Sequence, residues 1–425
     1  MQPETAPALL RRLFNAAVDA VSAEQVLRGQ LPLDIAQGTT IVLGAGKAAA
    51  AMAEVAARTI PGRVKGLVVT RYGHGLPGHR ASSIECVEAA HPVPDVAAQQ
   101  AASRMLELVR SAGEGDRIVF LLSGGASSLL PMPAPGLTLD DKRRVTRALL
   151  DCGARIDEIN CVRRHLSAIK GGRLARATQV PILTLAISDV PGNNPIDIGS
   201  GPTVPDPTTL ADAREVIGHY GLEVPDAVRR VLDDPSSETP KPSVRDADQL
   251  TTRIVATSTD ALSAATTVAS AAGYEVVLLG ENLEGDAQSL GAAHAALARD
   301  YAQRPGRWLL LSGGETTVTV RERNGRGGRN LEYLAGLGVG LDGHPRIHAL
   351  ACDTDGIDGT EDNAGALLTP TTLADAAARG IEGRDCLARN RTYDLFAAAD
   401  GLIVTGPTRT NVNDFRAILI DGATS

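Results

Sequence analysis

Several short segments of the 425-residue chain carry side chains able to handle a phosphate or a proton. Arg323–Arg329 sets three glycines and three arginines in seven positions, just before a helix-like pattern beginning at Asn330. Glycine lets an anion approach backbone N–H groups, arginine offers a planar fork of donors, and a helix N-terminus adds partial positive charge. The pattern reads as an anion cradle, although a solvated hairpin loop has the same composition. A second cation, Lys47, follows Gly44-Ala45-Gly46 at the end of a short apolar strand and ahead of an alanine-rich helix. This is no Walker A loop, because Ile41 holds the place of its first glycine and Ala48 that of its Ser/Thr. It does match G-x-G-x-x-A at Gly44, Gly46 and Ala49, but the acidic ribose ligand due about 20 residues on is missing. The next strand ends in Thr70-Arg71 instead.

Two serine-glycine turns follow hydrophobic strands, Ser123-Gly124-Gly125-Ala126-Ser127-Ser128 and Ser312-Gly313-Gly314. The carboxyl ends of strands are where open α/β sheets take ligands, so both are candidate phosphate-binding turns. The buried strand VPILTLAISDV delivers Asp189 at its tip, where an unpaired carboxylate costs several kcal/mol unless it meets a ligand, metal or base partner. Asp353 and Asp355 end the strand IHALACD, and Glu315 follows the second glycine turn. Such carboxylates suit Mg²⁺, which takes one or two of them plus water and phosphate oxygens. The loop is not an EF-hand, because Ile357 and Ala364 stand where ligands are required. Lys170, just before Gly171-Gly172, can either cap helix carbonyls or reach a ligand.

The elements that must position these groups alternate as strand and helix, which defines an α/β fold. An amphipathic helix opens the chain, with Leu9, Leu10, Leu13, Phe14, Ala17 and Val21 on one side. Pro235–Asp248, rich in proline, serine and charge, is the best linker, dividing residues 1–240 from 249–425. The long loop after Asp189 has the composition of a ligand-covering segment, and WLLLSGGETTVTV reads as two strands of a hairpin. A net charge of −8 argues against nucleic acid or an anionic membrane as the main partner. Five scattered cysteines without a C-x-x-C pair fit reduced thiols in a cytoplasmic protein, and no stretch reaches the length of a membrane span.

Taken in order, GAGKAAAAM, HPVPD, LLSGGASSLL, LSAIKGGRLA, ISDVPGNNPIDIGSGPTVPD, LLLSGGETTVTV with GRGGRNLE, and DTDGIDGTEDNAGA with TGPTRTNVND resemble the class II glycerate 2-kinases, the family with a C-terminal MOFRL domain. Nine segments in one order make the resemblance specific; Thr410, where relatives often have glycine, is a minor departure. The resemblance implies a Rossmann-like N-terminal domain with a parallel sheet, a smaller C-terminal α/β domain and an active site in the cleft between them. It implies ATP-dependent phosphorylation of D-glycerate at the 2-hydroxyl, with Lys47 and Arg329 as catalytic residues. With that chemistry, Asp189 becomes the candidate base, and Lys170, Arg326 and Asn413 the candidates for holding the substrate. Glu315, Asp353 and Asp355 become the candidates for Mg²⁺, and domain closure about Pro235–Asp248 is expected. The resemblance leaves room for a homodimer. The rival reading is an NADP-dependent hydroxypyruvate or tartronate-semialdehyde reductase, a name some relatives carry, in which Arg71 would meet the 2′-phosphate.

Overall fold

Strand β1 (Thr39–Ala45) is buried along six of its seven residues, as parallel strands covered on both faces are. It pairs in parallel with β2 (Arg63–Arg71) on one side and β4 (Arg117–Leu122) on the other. β3 (Ile84–Ala89) lies beyond β2, and β5 (Ile182–Ile187) and then β6 (Leu250–Ala256) lie beyond β4, giving the order β3-β2-β1-β4-β5-β6. Strand order reverses between β1 and β4, the topological switch point where such sheets receive ligands. In this computed structural model, residues 4–76, 83–243, 246–322 and 324–423 are described.

Alternate residues of the sheet, among them Ile41, Leu43, Leu67, Phe120 and Ile182, join Met105, Leu106 and Val109 of helix Val96–Arg110 in one core. That helix begins at Asp95, whose carboxylate accepts the Ala98 N–H at 3.0 Å, so the HPVPD corner ends in an N-cap. A separate core holds Leu149, Val162, Leu166, Leu210 and Val231, from helices Leu139–Asp151, Ile156–His165, Leu210–His219 and Asp226–Asp233 with the residue after the second of them.

The second unit has a mixed sheet of β7 (Glu275–Gly280), β8 (Arg307–Gly314), β9 (Ile347–Asp353), β10 (Gly365–Leu368), β11 (Leu402–Ile403) and β12 (Asp414–Asp421). The order is β11-β10-β9-β12-β8-β7. β7 pairs with β8 in parallel, and the other described pairings are antiparallel. Helix Arg329–Leu341 is buried along most of its length against Ala287–Ala302. A side chain at Gly291 would place its Cβ 2.2 Å from the Tyr333 carbonyl, so glycine sets how closely the two helices approach.

The α/β architecture is the expected one, but three boundaries differ. The compact units are Ala23–Val255 and a second that joins the N-terminal stretch through Ser22 to Ala256 onward, rather than 1–240 and 249–425. The opening helix, Ala6–Ala20, buries the expected face, yet its partners are in the second unit: Phe14 stacks 5.9 Å from Phe415 of β12. Thr410, the minor departure noted above, donates its hydroxyl to the Val21 carbonyl at 2.6 Å and fastens the end of that stretch. β6, expected to open the second domain, instead extends the first sheet.

The TTVTV strand does not form. Both edges of β8 are already occupied, by β7 and β12, and only Thr317 makes a bridge, to Asp286. The linker candidate Pro235–Asp248, of which residues 244 and 245 lie outside the described residues, is pinned rather than loose. Pro240 O accepts the Asp206 N–H at 2.9 Å, and Glu238 accepts from Leu210 N, His165 Nε2, Lys241 Nζ and Thr239 N.

Burial works against ionisation of Glu238, but those donors outweigh it and hold the carboxyl down to about 2. A depressed carboxyl stabilises the fold above its unfolded value, and that stability is lost as pH falls through the folded one. Glu238→Gln is therefore expected to lower stability by roughly 1 kcal/mol near neutrality, the site being partly exposed. The deficit should vanish as pH falls from about 4.5 to about 2, read as converging melting curves. A deficit independent of pH over that window would contradict the assignment.

Candidate active site

At the switch point the turns after β1 and β4 are laced together. Ser123 Oγ accepts the Ala48 N–H at 2.9 Å, Gly124 O accepts the Lys47 N–H at 2.9 Å, and Gly46 O accepts the Ala49 N–H at 3.1 Å. A Cβ on Gly46 would lie 2.2 Å from Ser123 Oγ, and one on Gly44 would lie 2.4 Å from the Leu121 carbonyl. These two glycines therefore permit turn-to-turn and strand-to-strand contact. The N–H groups of residues 47 to 49 are already used, so the cradle expected from Gly44, Gly46 and Ser123 is filled from within the chain. What the turn does present is the partly buried side chain of Lys47. Asp189, also partly buried, stands two residues past β5, so Lys47, the Ser123–Ser128 turn and Asp189 follow three adjacent strands at one edge of the sheet.

Lys170 is almost fully buried, and the helix expected to run through it ends at His165, the next starting at Arg173 after Gly171 and Gly172, which both have positive φ. Its ammonium donates to Ser127 O at 2.8 Å, Gly199 O at 3.0 Å and Ser127 Oγ at 3.2 Å. Those bonds use its three donors, so the geometry ties Lys170 to the loop rather than to a substrate carboxylate. Ser127 is held as well, by the Ser200 hydroxyl at 2.8 Å. The loop after Asp189 is likewise anchored rather than a loose cover. Arg164 pairs with Asp197 at 3.2 Å and with the fully buried Asp206 at 3.1 Å.

In the second unit, Arg329 starts helix Arg329–Leu341 and is caged by three carboxylates. Nε meets Asp414 at 2.8 Å, Nη2 meets Asp353 at 2.8 Å and Nη1 meets Glu315 at 2.5 Å. Burial disfavours its charge, but Asp414, Asp353 and Glu315 outweigh that and hold the guanidinium above its ordinary range. Asp414 also accepts from Asn330 Nδ2 at 2.8 Å and from the buried Arg416 at 2.5 Å. Asp358 receives the Asn330 and Leu331 N–H groups, each at 3.1 Å. Burial pushes its carboxyl up to about 7 against the pull of those donors.

The anion cradle expected at Arg323–Arg329 is thus partly occupied, because Asp358 takes the Asn330 and Leu331 N–H groups of the helix start; Arg323 itself lies outside the described residues. Arg326, expected to hold the substrate, is engaged at the surface, with Glu361 at 2.7 Å and over the Tyr393 ring at 4.2 Å. Ser312, Gly313 and Gly314 do not form a turn. They continue β8, pairing with Arg416, Phe415 and Asp414 of β12, and Gly313 O accepts from Leu283 N–H and Arg416. Asn413 is buried with φ 68°, and its carbonyl accepts the N–H and hydroxyl of Thr354.

Glu315, Asp353 and Asp355 do not fit a three-carboxylate metal site. The first two grip Arg329, while Asp355 Oδ1 accepts the Ile357 N–H at 2.8 Å. Among the described residues no group of three or more His, Cys, Asp or Glu side chains is arranged to hold a metal ion. Asp414, Asp358 and Arg416 were absent from the expected site. Asp414 stands next to Asn413 in the sequence, but nothing local marks it as the carboxylate that holds Arg329, 85 residues away.

This arrangement defines a Rossmann-like α/β protein with an appended mixed-sheet α/β unit. Residues 9–233 match a family described as a domain of unknown function, DUF4147, and residues 308–414 match the MOFRL family. A D-glycerate 2-kinase of Thermotoga maritima is 34% identical, over 97% of this chain and 98% of that protein. The crystal structure of a Thermotoga maritima glycerate kinase superposes with a TM-score of 0.84 at 34% identity, covering 97% of this chain and 98% of that one. An Agrobacterium vitis protein with a provisional hydroxypyruvate reductase name is 47% identical over 97% of this chain and 94% of its own length. The chain belongs to the MOFRL-domain glycerate kinase family.

Asp414 is fully buried and serves Arg329, Asn330 and Arg416 at once. Asp414→Asn, which strips the charge from a buried pair, is expected to cost about 3–5 kcal/mol. In thermal unfolding that is a fall of roughly 10 °C. An unchanged melting temperature would show that the cage is not a structural tie.

Proposed function

We propose that the protein transfers the γ-phosphoryl group of ATP to the 2-hydroxyl of D-glycerate, giving 2-phosphoglycerate and ADP. The observation that carries this reading is the position of Lys47, at the switch point of the parallel sheet, in a chain similar over nearly its full length to proteins named glycerate 2-kinase. Phosphoryl transfer asks little covalent chemistry of a protein, and depends on positioning and on positive charge around the migrating group. Lys47 supplies such a charge, and Arg329, which the resemblance makes catalytic, acts through the N–H groups that its three carboxylates leave over. Asp189, at the same sheet edge as Lys47, takes the proton of the 2-hydroxyl as its oxygen bonds to phosphorus and the bond from phosphorus to the departing ADP oxygen breaks. ATP comes with Mg²⁺, an ion that needs few protein ligands when phosphates supply its oxygens. We place the activity in the cytoplasm, in keeping with five free cysteines.

The reductase reading draws no support from the glycine turn. The N–H groups that would meet a dinucleotide pyrophosphate there are hydrogen-bonded to Ser123, Gly124 and Gly46.

A coupled assay with D-glycerate, ATP and Mg²⁺ tests the proposal, using enolase without phosphoglycerate mutase as detector. The expected result is an enolase signal from the wild type. With Lys47→Ala, kcat should fall by about 10²–10³, as on removing a charge aimed at the transition state, with the circular dichroism spectrum unchanged. ADP formation with no enolase signal would overturn the 2-position. Wild-type turnover in Lys47→Ala would overturn the role of the lysine.

A further inference from the structure

A cavity of about 590 Å³ opens within the first unit, beside the Ser123–Ser128 turn. Its inner wall is cationic, formed by Lys142, Arg163 and Lys170. Among the described residues no carboxylate lies within ion-pair distance of these three. Asp140 and Asp151 also line the cavity, but both are exposed. Lys142 is the telling member. It is more than nine-tenths buried, and among the described residues its ammonium has one hydrogen-bond partner, the Met132 carbonyl at 3.5 Å. Burial, with the nearby Arg163 and Arg173, pulls its pKa down to about 7, the behaviour of an ammonium short of a counter-charge. Burying unpaired cations side by side is costly, and the fold bears that cost where an anion arrives to relieve it.

The outer wall is of another character. Pro92, Val93, Pro94 and Leu150 line it beside the exposed Arg144 and Arg147, and Val93 and Leu150 are more than half exposed. The volume falls in the range of about 300–1,000 Å³ seen for sites that hold drug-sized ligands. A three-carbon hydroxy acid would leave most of it empty. The cationic end lies near the proposed chemistry: Gly125 lines the cavity, and its neighbour Gly124 accepts the Lys47 N–H.

We propose that this cavity seats a nucleoside polyphosphate, with the phosphates against Lys142 and Arg163, in the field of Lys170, and the base and sugar along the proline–valine–leucine wall. The proposal deepens the kinase reading and rests on it for the direction of the phosphates, toward Lys47. It assigns to Lys142 and Arg163 a ligand-binding role that no sequence motif marks. Lys170 contributes charge and holds Ser127 in place, its own donors being used within the protein.

Calorimetric titration of the full chain with the non-hydrolysable analogue AMP-PNP tests it without requiring turnover. Lys142→Met should weaken binding by about 10- to 100-fold, the loss expected when a charge-assisted contact goes. It should raise the KM for ATP while leaving the KM for D-glycerate unchanged. Because Lys142 is buried without a counter-charge, the same substitution should leave the melting temperature unchanged or higher, which separates a binding role from a structural one. Leu150→Glu, at an exposed point of the apolar wall, should weaken AMP-PNP but spare inorganic triphosphate.

Unchanged AMP-PNP affinity and ATP KM in Lys142→Met would overturn the proposal even if the enzyme phosphorylates glycerate. Inorganic triphosphate binding as tightly as AMP-PNP would overturn the nucleoside part. Loss of AMP-PNP binding in Lys142→Met, in a protein whose wild type gives no ADP with glycerate, would support the cavity and sink the kinase reading alone.

Discussion

One guanidinium ties together the second unit of this protein. Arg329 reaches Glu315, just past β8, Asp353 at the end of β9 and Asp414 at the start of β12, so three strand ends and one helix start share a single cation. The bonds are unequal in weight. Glu315 is more than half exposed and adds little to stability, whereas Asp353 and Asp414 are buried and would be costly without their partner. Asp414 passes the constraint on, because Arg416 and Asn330 both depend on it. A cation held in this way has no rotamer freedom left to lose, which suits a group whose task is to be in place when charge develops on a transferring phosphoryl group.

The two units carry opposite local charge. Around Arg329 the carboxylates of Glu315, Asp353, Asp355, Asp358 and Asp414 outnumber the guanidiniums of Arg329 and Arg416. Around the Ser123–Ser128 turn, Lys142, Arg163 and Lys170 lie without a paired carboxylate among the described residues. A net charge of −8 for the whole chain conceals this division. It is the local excess of cations, and not the total, that favours an anionic ligand in the first unit.

The alternation of strand and helix was legible because the central strands of the first sheet carry apolar runs, Ile41–Leu43 in β1 and Ile118–Leu122 in β4, and its glycine turns are punctuation of a familiar kind. Ownership was not. The opening helix shows its apolar face plainly, but nothing local says that Phe14 packs on Phe415, 401 positions later. β6 reads as the first strand of a new domain because a proline-rich segment precedes it, yet contacts from Glu238 pin that segment down. The glycine motifs misled for a related reason. Gly44 and Gly46 have the spacing of a phosphate turn, and the structure uses them to admit Leu121 and Ser123. The helix start after Gly328 looked open to an anion until Asp358, 28 residues on, supplied the carboxylate. In each case local pattern identified the backbone conformation correctly and left open which group would fill it. The cation cluster around Lys142 was missed because its members are 21 and 28 residues from Lys142, on different elements, and no spacing rule joins them.

If the cage exists to fix a cation for chemistry, geometry at residue 329 should matter as much as charge. Arg329→Lys keeps the charge but cannot satisfy three carboxylates with one ammonium at the same reach. The direct measurement is kcat for glycerate-dependent ADP formation in that variant, alongside its melting curve. The expected result is a folded protein, lower in melting temperature, with kcat down by about 10² or more. Wild-type kcat in Arg329→Lys would show that the cage is structural only, and the account of the site would fail.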